Sequence, residues 1–199
     1  IKFSKDKLFI NFRIVTIDDS IEIKLPLPGQ HNVMNALAAA ACCLSLDISM
    51  QAIKKGLENM RPIKGRLEIR SGKKNVRIID DTYNANPTSL DAAIKTLSDM
   101  KGSRFIVLGD MGELGQDAVR FHEDVGVIAK QNNIDGLFTI GDLSMNATKS
   151  FGKGAFHFSN YDELGESLTR ILNKDTNILV KGSRAMKMEK IVEMLTEKN

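Results

Sequence analysis

Residues 79–89 read Ile79-Asp80-Asp81-Thr82-Tyr83-Asn84-Ala85-Asn86-Pro87-Thr88-Ser89. Val76, Ile78 and Ile79 form a short apolar, β-branched run, as expected of a buried strand. Two carboxylates follow, then two carboxamides around a small residue, then a Pro-Thr-Ser helix start. Open α/β sheets bind ligands where a strand ends on a helix N-terminus, because backbone N–H groups and polar side chains converge there. Asp80 and Asp81 suit ribose hydroxyls or a cation. Asn84 and Asn86 tolerate tight-turn backbone and add donors and acceptors. The competing reading is an ordinary strand–turn–helix corner, with Thr88 or Ser89 as N-cap and the two aspartates as solvated turn residues.

The same rhythm continues outward. Strands are predicted near residues 67–70, 76–80, 104–108, 136–140, 155–158 and 177–180. Helices are predicted near 89–100, 116–131, 143–150, 161–172 and 186–197. Repeated β-α alternation implies an α/β fold: a Rossmann-like, mostly parallel sheet with helices on both faces. Ile106-Val107-Leu108 is the continuous apolar run that a central parallel strand needs. Upstream, Met60-Arg61-Pro62-Ile63-Lys64-Gly65 reads as a linker and is expected to be a hinge, because Gly65 and the residues beside it can absorb a rotation.

Before the linker the pattern differs. Residues 8–14 and 21–25 alternate with period two, as half-buried antiparallel strands do, joined around Asp18 and Asp19. Helices are expected over 33–46, with Asn32 as N-cap, and over 49–59. The stretch 36–46 reads as a buried Ala-rich helix whose Cys42 and Cys43 are reduced core residues of a cytoplasmic protein. This opening portion has no core large enough to stand alone, so it is expected to be the tail of a preceding domain. The first residue is Ile1, which suggests a piece of a longer polypeptide.

The 199 residues are 42% hydrophobic and 27% charged, with a net charge of +3. Those are the proportions of a soluble globular protein. The basic residues are scattered, which argues against nucleic acid as a partner. No apolar run approaches the roughly 20 residues that span a bilayer.

Further candidates fall at predicted strand ends and helix starts. In Gly29-Gln30-His31-Asn32-Val33-Met34-Asn35, His31 sits at the mouth of a glycine turn, and Asn35 lies one turn further in. An outward Asn35 carboxamide offers the paired donor and acceptor that reads an adenine edge, or it is simply a solvated helix residue. Arg66 after Gly65 can clamp a phosphate with its planar fork, or it is a surface arginine at a strand start. Gly109-Asp110-Met111-Gly112-Glu113-Leu114-Gly115 lacks the glycine spacing of a dinucleotide loop, but lies at the same sheet edge as Asp81. Lys181-Gly182-Ser183-Arg184 is a compact anion site or a basic turn. His122 and His157 stand alone and read as surface or core residues rather than ligands. No His/Cys cluster has metal-ligand spacing.

Taken together, these motifs resemble the Mur ligases, in family order and over nearly the whole chain. The Asp80-to-Pro87 segment is similar to that of the member that adds D-Ala-D-Ala to UDP-N-acetylmuramoyl-tripeptide. The resemblance implies ATP and Mg2+ as cofactors, an acyl-phosphate intermediate, and three partners: the UDP-linked tripeptide, D-Ala-D-Ala and ATP. A cytoplasmic monomer is expected, with no sequence signal for the oligomeric state. It implies that residues 1–62 end a central ATP-binding domain and residues 63–199 form a C-terminal Rossmann-like domain. The phosphate-binding loop and the metal ligands are then expected outside this chain, which alone would be inactive. Residue by residue, the resemblance implies adenine contact at Asn35, with His31 beside it, ribose contact at Asp81, and phosphate contact at a catalytic Arg66. Asn84, Asn86, Lys181, Ser183 and Arg184 are implied to place the dipeptide or acceptor peptide. A non-catalytic nucleotide- or peptide-binding module, or a Mur-type ligase for another amino acid, are the alternatives.

Overall fold

The structure, a computed structural model, describes residues 2, 3 and 9–196. Two compact units form, Ile1–Pro62 and Ile63–Asn199.

In the first unit, β1 (Lys2–Phe3), β2 (Ile10–Val15) and β3 (Ser20–Leu25) make an antiparallel sheet. Alternate residues of β2 and β3 are buried, as the period-two pattern requires, and Ile10, Phe12, Ile14, Ile21, Ile23 and Leu25 share one face. The expected strand start at Leu8 and helix end at Glu197 lie outside the described residues. Against the apolar face pack α1 (Gln30–Leu44) and α2 (Met50–Glu58) through Val33, Ala36, Ala40, Ile53 and Leu57. These residues form a local core within the first unit.

Two expectations for α1 are corrected. Asn32 is not its N-cap: Gly29, at φ 91°, turns the chain into the helix earlier, and Asn32 Nδ2 donates instead to the Pro28 carbonyl at 2.6 Å. Nor is α1 buried all round. Its buried stripe is Val33, Ala36 and Ala40, at the three-to-four spacing of a single helix face. Cys42, off that stripe, is exposed, and Cys43 at its edge is half-buried; both thiols are free.

The second unit is a six-stranded sheet in the order β4-β5-β9-β6-β7-β8. Its strands are β4 (Glu68–Ser71), β5 (Arg77–Asp81), β6 (Ser103–Gly109), β7 (Gly136–Ile140), β8 (Ala155–Phe158) and β9 (Thr176–Lys181). Only the β4–β5 pair is antiparallel; every other neighbour pair is parallel. The helices are α3 (Pro87–Ser98), α4 (Ala118–Gln131), α5 (Met145–Phe151), α6 (Tyr161–Ile171) and α7 (Glu189–Leu195). The expected fold class is the observed one.

Pleating sends successive strand residues to opposite faces. Ile79, Ile106, Leu108 and Leu179 meet α3, α4 and α5 on one face. Ile78, Val107, Ile178 and Val180 meet α6 and α7 on the other. The last strand in sequence, β9, inserts between β5 and β6 and is buried along its whole length. The polar residues that end β5 and β9 are thereby brought side by side.

Helix starts set the geometry at that edge. α3 begins at Pro87 with Asn86 as its N-cap, not Thr88 or Ser89. Asn86 Oδ1 accepts the Ser89 N–H at 2.8 Å, while Ser89 Oγ accepts the Asn86 N–H at 3.2 Å. Pro87 at the first helical position has no N–H to leave orphaned, so the start falls two residues before the expected one. After β9 a short 3-10 turn (Arg184–Met186) and a left-handed Lys187 delay α7 until Glu189.

No helix among the described residues is long and apolar enough to cross a membrane.

Candidate active site at the sheet edge

Asp81 and Lys181 are register partners at the ends of parallel β5 and β9, and both point to the α3 face. Lys181 Nζ donates to Asp81 Oδ2 at 2.5 Å and to the Asn84 carbonyl at 2.9 Å. Asp81 Oδ1 accepts the Leu67 N–H at 3.1 Å. Lys181 is 2% exposed. Burial holds its ammonium below the ordinary lysine pKa; Asp81 pulls it back up by charge and hydrogen bonding, and the nearby Arg66 charge adds to the lowering. A carboxylate has about four acceptor positions. Two are committed within the fold, so Asp81 retains capacity for hydroxyl donors.

Asp80, one residue earlier, faces the opposite side and is fully buried. Its Oδ1 accepts the Thr82 hydroxyl at 2.7 Å and the Thr82 N–H at 3.3 Å; its Oδ2 lies 3.7 Å from the Arg70 guanidinium. The suggestion that both aspartates meet a ribose or cation is corrected for Asp80, and so is the reading of the pair as solvated turn residues. Alternation along β5 is the reason: adjacent carboxylates cannot share a face.

The segment from Gly65 to Leu67 is strapped against the β5–α3 loop. Tyr83 N–H donates to the Gly65 carbonyl at 2.9 Å. Gly65 has φ +75°, and a Cβ there would lie 3.1 Å from the Tyr83 nitrogen, so glycine is required by both backbone angle and close approach. Arg66, exposed, lies with its guanidinium carbon 4.2 Å from the centroid of the Tyr83 ring.

Asn84 and Asn86 are exposed on the same loop. Asn84 Oδ1 accepts the Ala85 N–H at 2.9 Å, and its carbonyl anchors Lys181. Asn86 serves as the α3 cap. Ser183 is buried, and its N–H donates to the Asp110 carbonyl at 2.8 Å. Arg184 is exposed and pairs with Glu189 at 3.0 Å.

The loop over residues 109–115 is tied to this edge. Besides the Ser183 bond, Asp110 Oδ1 accepts the Ser144 N–H at 2.7 Å. Added Cβ atoms at Gly109 and Gly182 would each lie 2.7 Å from Met188, so a side chain at either position would force Met188 to shift. His122, fully buried on α4, accepts the Met111 N–H at Nε2 (3.0 Å), which assigns the proton to Nδ1, 2.7 Å from the Ala118 carbonyl. Sequence reading saw a possible core histidine but not this anchoring role, because nothing in linear spacing shows a helix residue reaching back eleven positions to a loop amide. His157 bonds Thr139, away from the site.

In the first unit, His31 and Asn35 lie in the opening turns of α1. His31 is half-buried; Asn35 is exposed, its Nδ2 3.5 Å from Asn32 Oδ1. The structure thus gathers Arg66, Asp81, Asn84, Asn86, Lys181, Ser183 and Arg184 at one sheet edge, and it places His31 and Asn35 together on α1. Among the described residues no three His, Cys, Asp or Glu side chains converge as a metal site.

Comparison with known proteins matches residues 65–184 to the Mur ligase glutamate ligase domain and residues 2–43 to the Mur ligase middle domain. The chain is 41% identical over 191 residues to the UDP-N-acetylmuramoyl-tripeptide–D-alanyl-D-alanine ligase of Buchnera aphidicola, covering 95% of this chain and 42% of that relative. The chain therefore spans about two fifths of the length of such relatives. A crystal structure of MurF from Acinetobacter baumannii superposes with a TM-score of 0.88 at 35% identity, over 96% of this chain and 43% of that one. The MurF ligase of Thermotoga maritima, solved in complex with ADP, matches with a TM-score of 0.83 at 25% identity, over 94% and 43% of the respective chains.

Proposed function

From its membership of the Mur ligase family, to which this chain belongs, we propose that it is part of an ATP-dependent amide ligase. The enzyme adds D-Ala-D-Ala to UDP-N-acetylmuramoyl-tripeptide in the cytoplasm, during assembly of the peptidoglycan precursor. The observation that carries this reading is the Asp81 carboxylate, fixed by Lys181 and the Leu67 N–H at the C-terminal edge of a parallel sheet, beside an exposed Arg66.

In this reading ATP phosphorylates the tripeptide carboxylate, and the dipeptide amine displaces phosphate from the acyl phosphate, leaving ADP and inorganic phosphate. Asp81 accepts ribose hydroxyls with its uncommitted lone pairs. Arg66 meets the phosphate end of ATP, where a planar fork of donors suits an oxyanion that gains charge as the bond breaks. Asn35 reads adenine, with His31 beside it. Mg2+ accompanies ATP, and its ligands are assigned to portions of the enzyme other than this chain.

Arg184 and Ser183, with Asn84 and Asn86 across the edge, are the groups proposed to position the dipeptide or the acceptor peptide. Lys181 supports that edge from beneath: two of its three donors are engaged by Asp81 and Asn84, so it orients the site as it contributes charge.

The test is phosphate release by the whole enzyme supplied with ATP and the UDP-linked tripeptide, across a panel of amines. D-Ala-D-Ala is expected to support the fastest turnover. Faster turnover with glutamate or diaminopimelate overturns the substrate assignment, and no ATP-dependent turnover with any amine overturns the ligase reading.

A further inference from the structure

Tyr83 has no part in the roles above, yet it is the aromatic residue on the loop that carries Asn84 and Asn86. Its side chain is half exposed, where burial does not account for a large ring. Its backbone N–H holds the Gly65 carbonyl, and the Leu67 N–H holds Asp81, so the chain on both sides of Arg66 is pinned to the end of β5. The Arg66 guanidinium then lies over the Tyr83 ring face. Among the described residues no carboxylate pairs with Arg66; the buried Lys181, whose charge Arg66 feels, is itself paired with Asp81. A long, exposed arginine side chain in that position has several rotamers open to it. The negative face of the ring restricts that freedom, and stacking through the guanidinium face keeps its edge N–H groups available to a ligand.

We propose that Tyr83 is a positioning residue: its ring is the shelf that holds Arg66 flat, with its donor edge presented to the phosphate end of the nucleotide. The inference rests on the reading of Arg66 as the phosphate contact and adds what sets its geometry. Tyr83 touches neither substrate nor reacting atoms. Its hydroxyl is dispensable and its ring is not.

The test is a double-mutant cycle in the whole enzyme, with turnover measured against ATP concentration. Tyr83→Phe retains the ring and is expected to stay within about twofold of wild type. Tyr83→Ala is expected to lower kcat/KM for ATP about two- to fivefold, the size of an exposed cation–π contact expressed as a rate ratio. The KM for D-Ala-D-Ala and the urea midpoint are expected to stay unchanged, because Tyr83 is a half-exposed surface residue. In an Arg66→Ala background, Tyr83→Ala is expected to cause no further loss, since the ring then has nothing to hold. If Arg66→Ala is harmful while Tyr83→Ala is silent, or if the two losses multiply, the shelf is overturned and the phosphate role of Arg66 stands. If Arg66→Ala is itself silent, the phosphate role is overturned and the shelf with it.

Discussion

The end of β5 and β9 and the start of α1 both carry candidate nucleotide contacts, but they are built differently. At the sheet edge the anchors come from other parts of the fold: Asp81 is held by Lys181 and the Leu67 N–H, the residue-84 carbonyl by Lys181, and the turn after β9 by the Asp110 carbonyl. At the helix start, Gly29 caps α1 without a side-chain bond, and the exposed Asn35 side chain lies 3.5 Å from Asn32, on the same helix. The difference teaches where rigidity is supplied. Groups meant to meet charge as it develops gain from being fixed beforehand. A carboxamide that reads a flat base edge can stand on a regular helix and rely on the helix for its direction.

The contrast can be broken in order of expected effect. Lys181→Met leaves the Asp81 carboxylate buried without its cation and is expected to cost about 3–5 kcal/mol in urea unfolding of this chain. A loss below about 1 kcal/mol would show that the corner is not locked. His122→Phe removes the acceptor of the Met111 N–H and is expected to cost about 1–3 kcal/mol, with faster amide exchange in residues 109–115; unchanged exchange would detach His122 from that loop. Asn86→Ala removes the α3 cap at about 1 kcal/mol, seen as fraying of the first turn by hydrogen exchange. Asn35→Ala is expected to change stability by less than about 0.5 kcal/mol while weakening ATP binding to the whole enzyme. A larger stability loss there would make Asn35 a structural residue and erase the contrast.

Much of this was legible in the linear order. The alternation of apolar runs with helical stretches is enough to give a parallel sheet, because Ile78, Ile106 and Leu179 belong to strands that only a two-sided core can bury. The candidate edge followed from the carboxylates after Ile79 and the glycine turn after Lys181. Strand order was not legible: nothing near Thr176 says that β9 enters between β5 and β6, and the Asp81–Lys181 pair depends on that insertion. Nor was the outward face of α1 legible, since alanines suit buried and exposed helix positions equally, and Cys42 gave no sign of lying off the Val33–Ala36–Ala40 stripe. Asn86 was misread for a subtler reason. Asn, Thr and Ser all cap helices, and only the Pro87 ring at the first helical position selects among them.

The most direct test of Asp81 as the ribose contact compares ATP with 2′,3′-dideoxy-ATP in the whole enzyme. Wild type is expected to favour ATP by about 10- to 150-fold in kcat/KM, the range set by hydrogen bonds to a charged acceptor. Asp81→Asn is expected to shrink that preference by about tenfold, whatever it does to overall activity. An undiminished preference in Asp81→Asn would contradict the account, because the hydroxyls would then be recognised by some group other than the carboxylate held between Lys181 and Leu67.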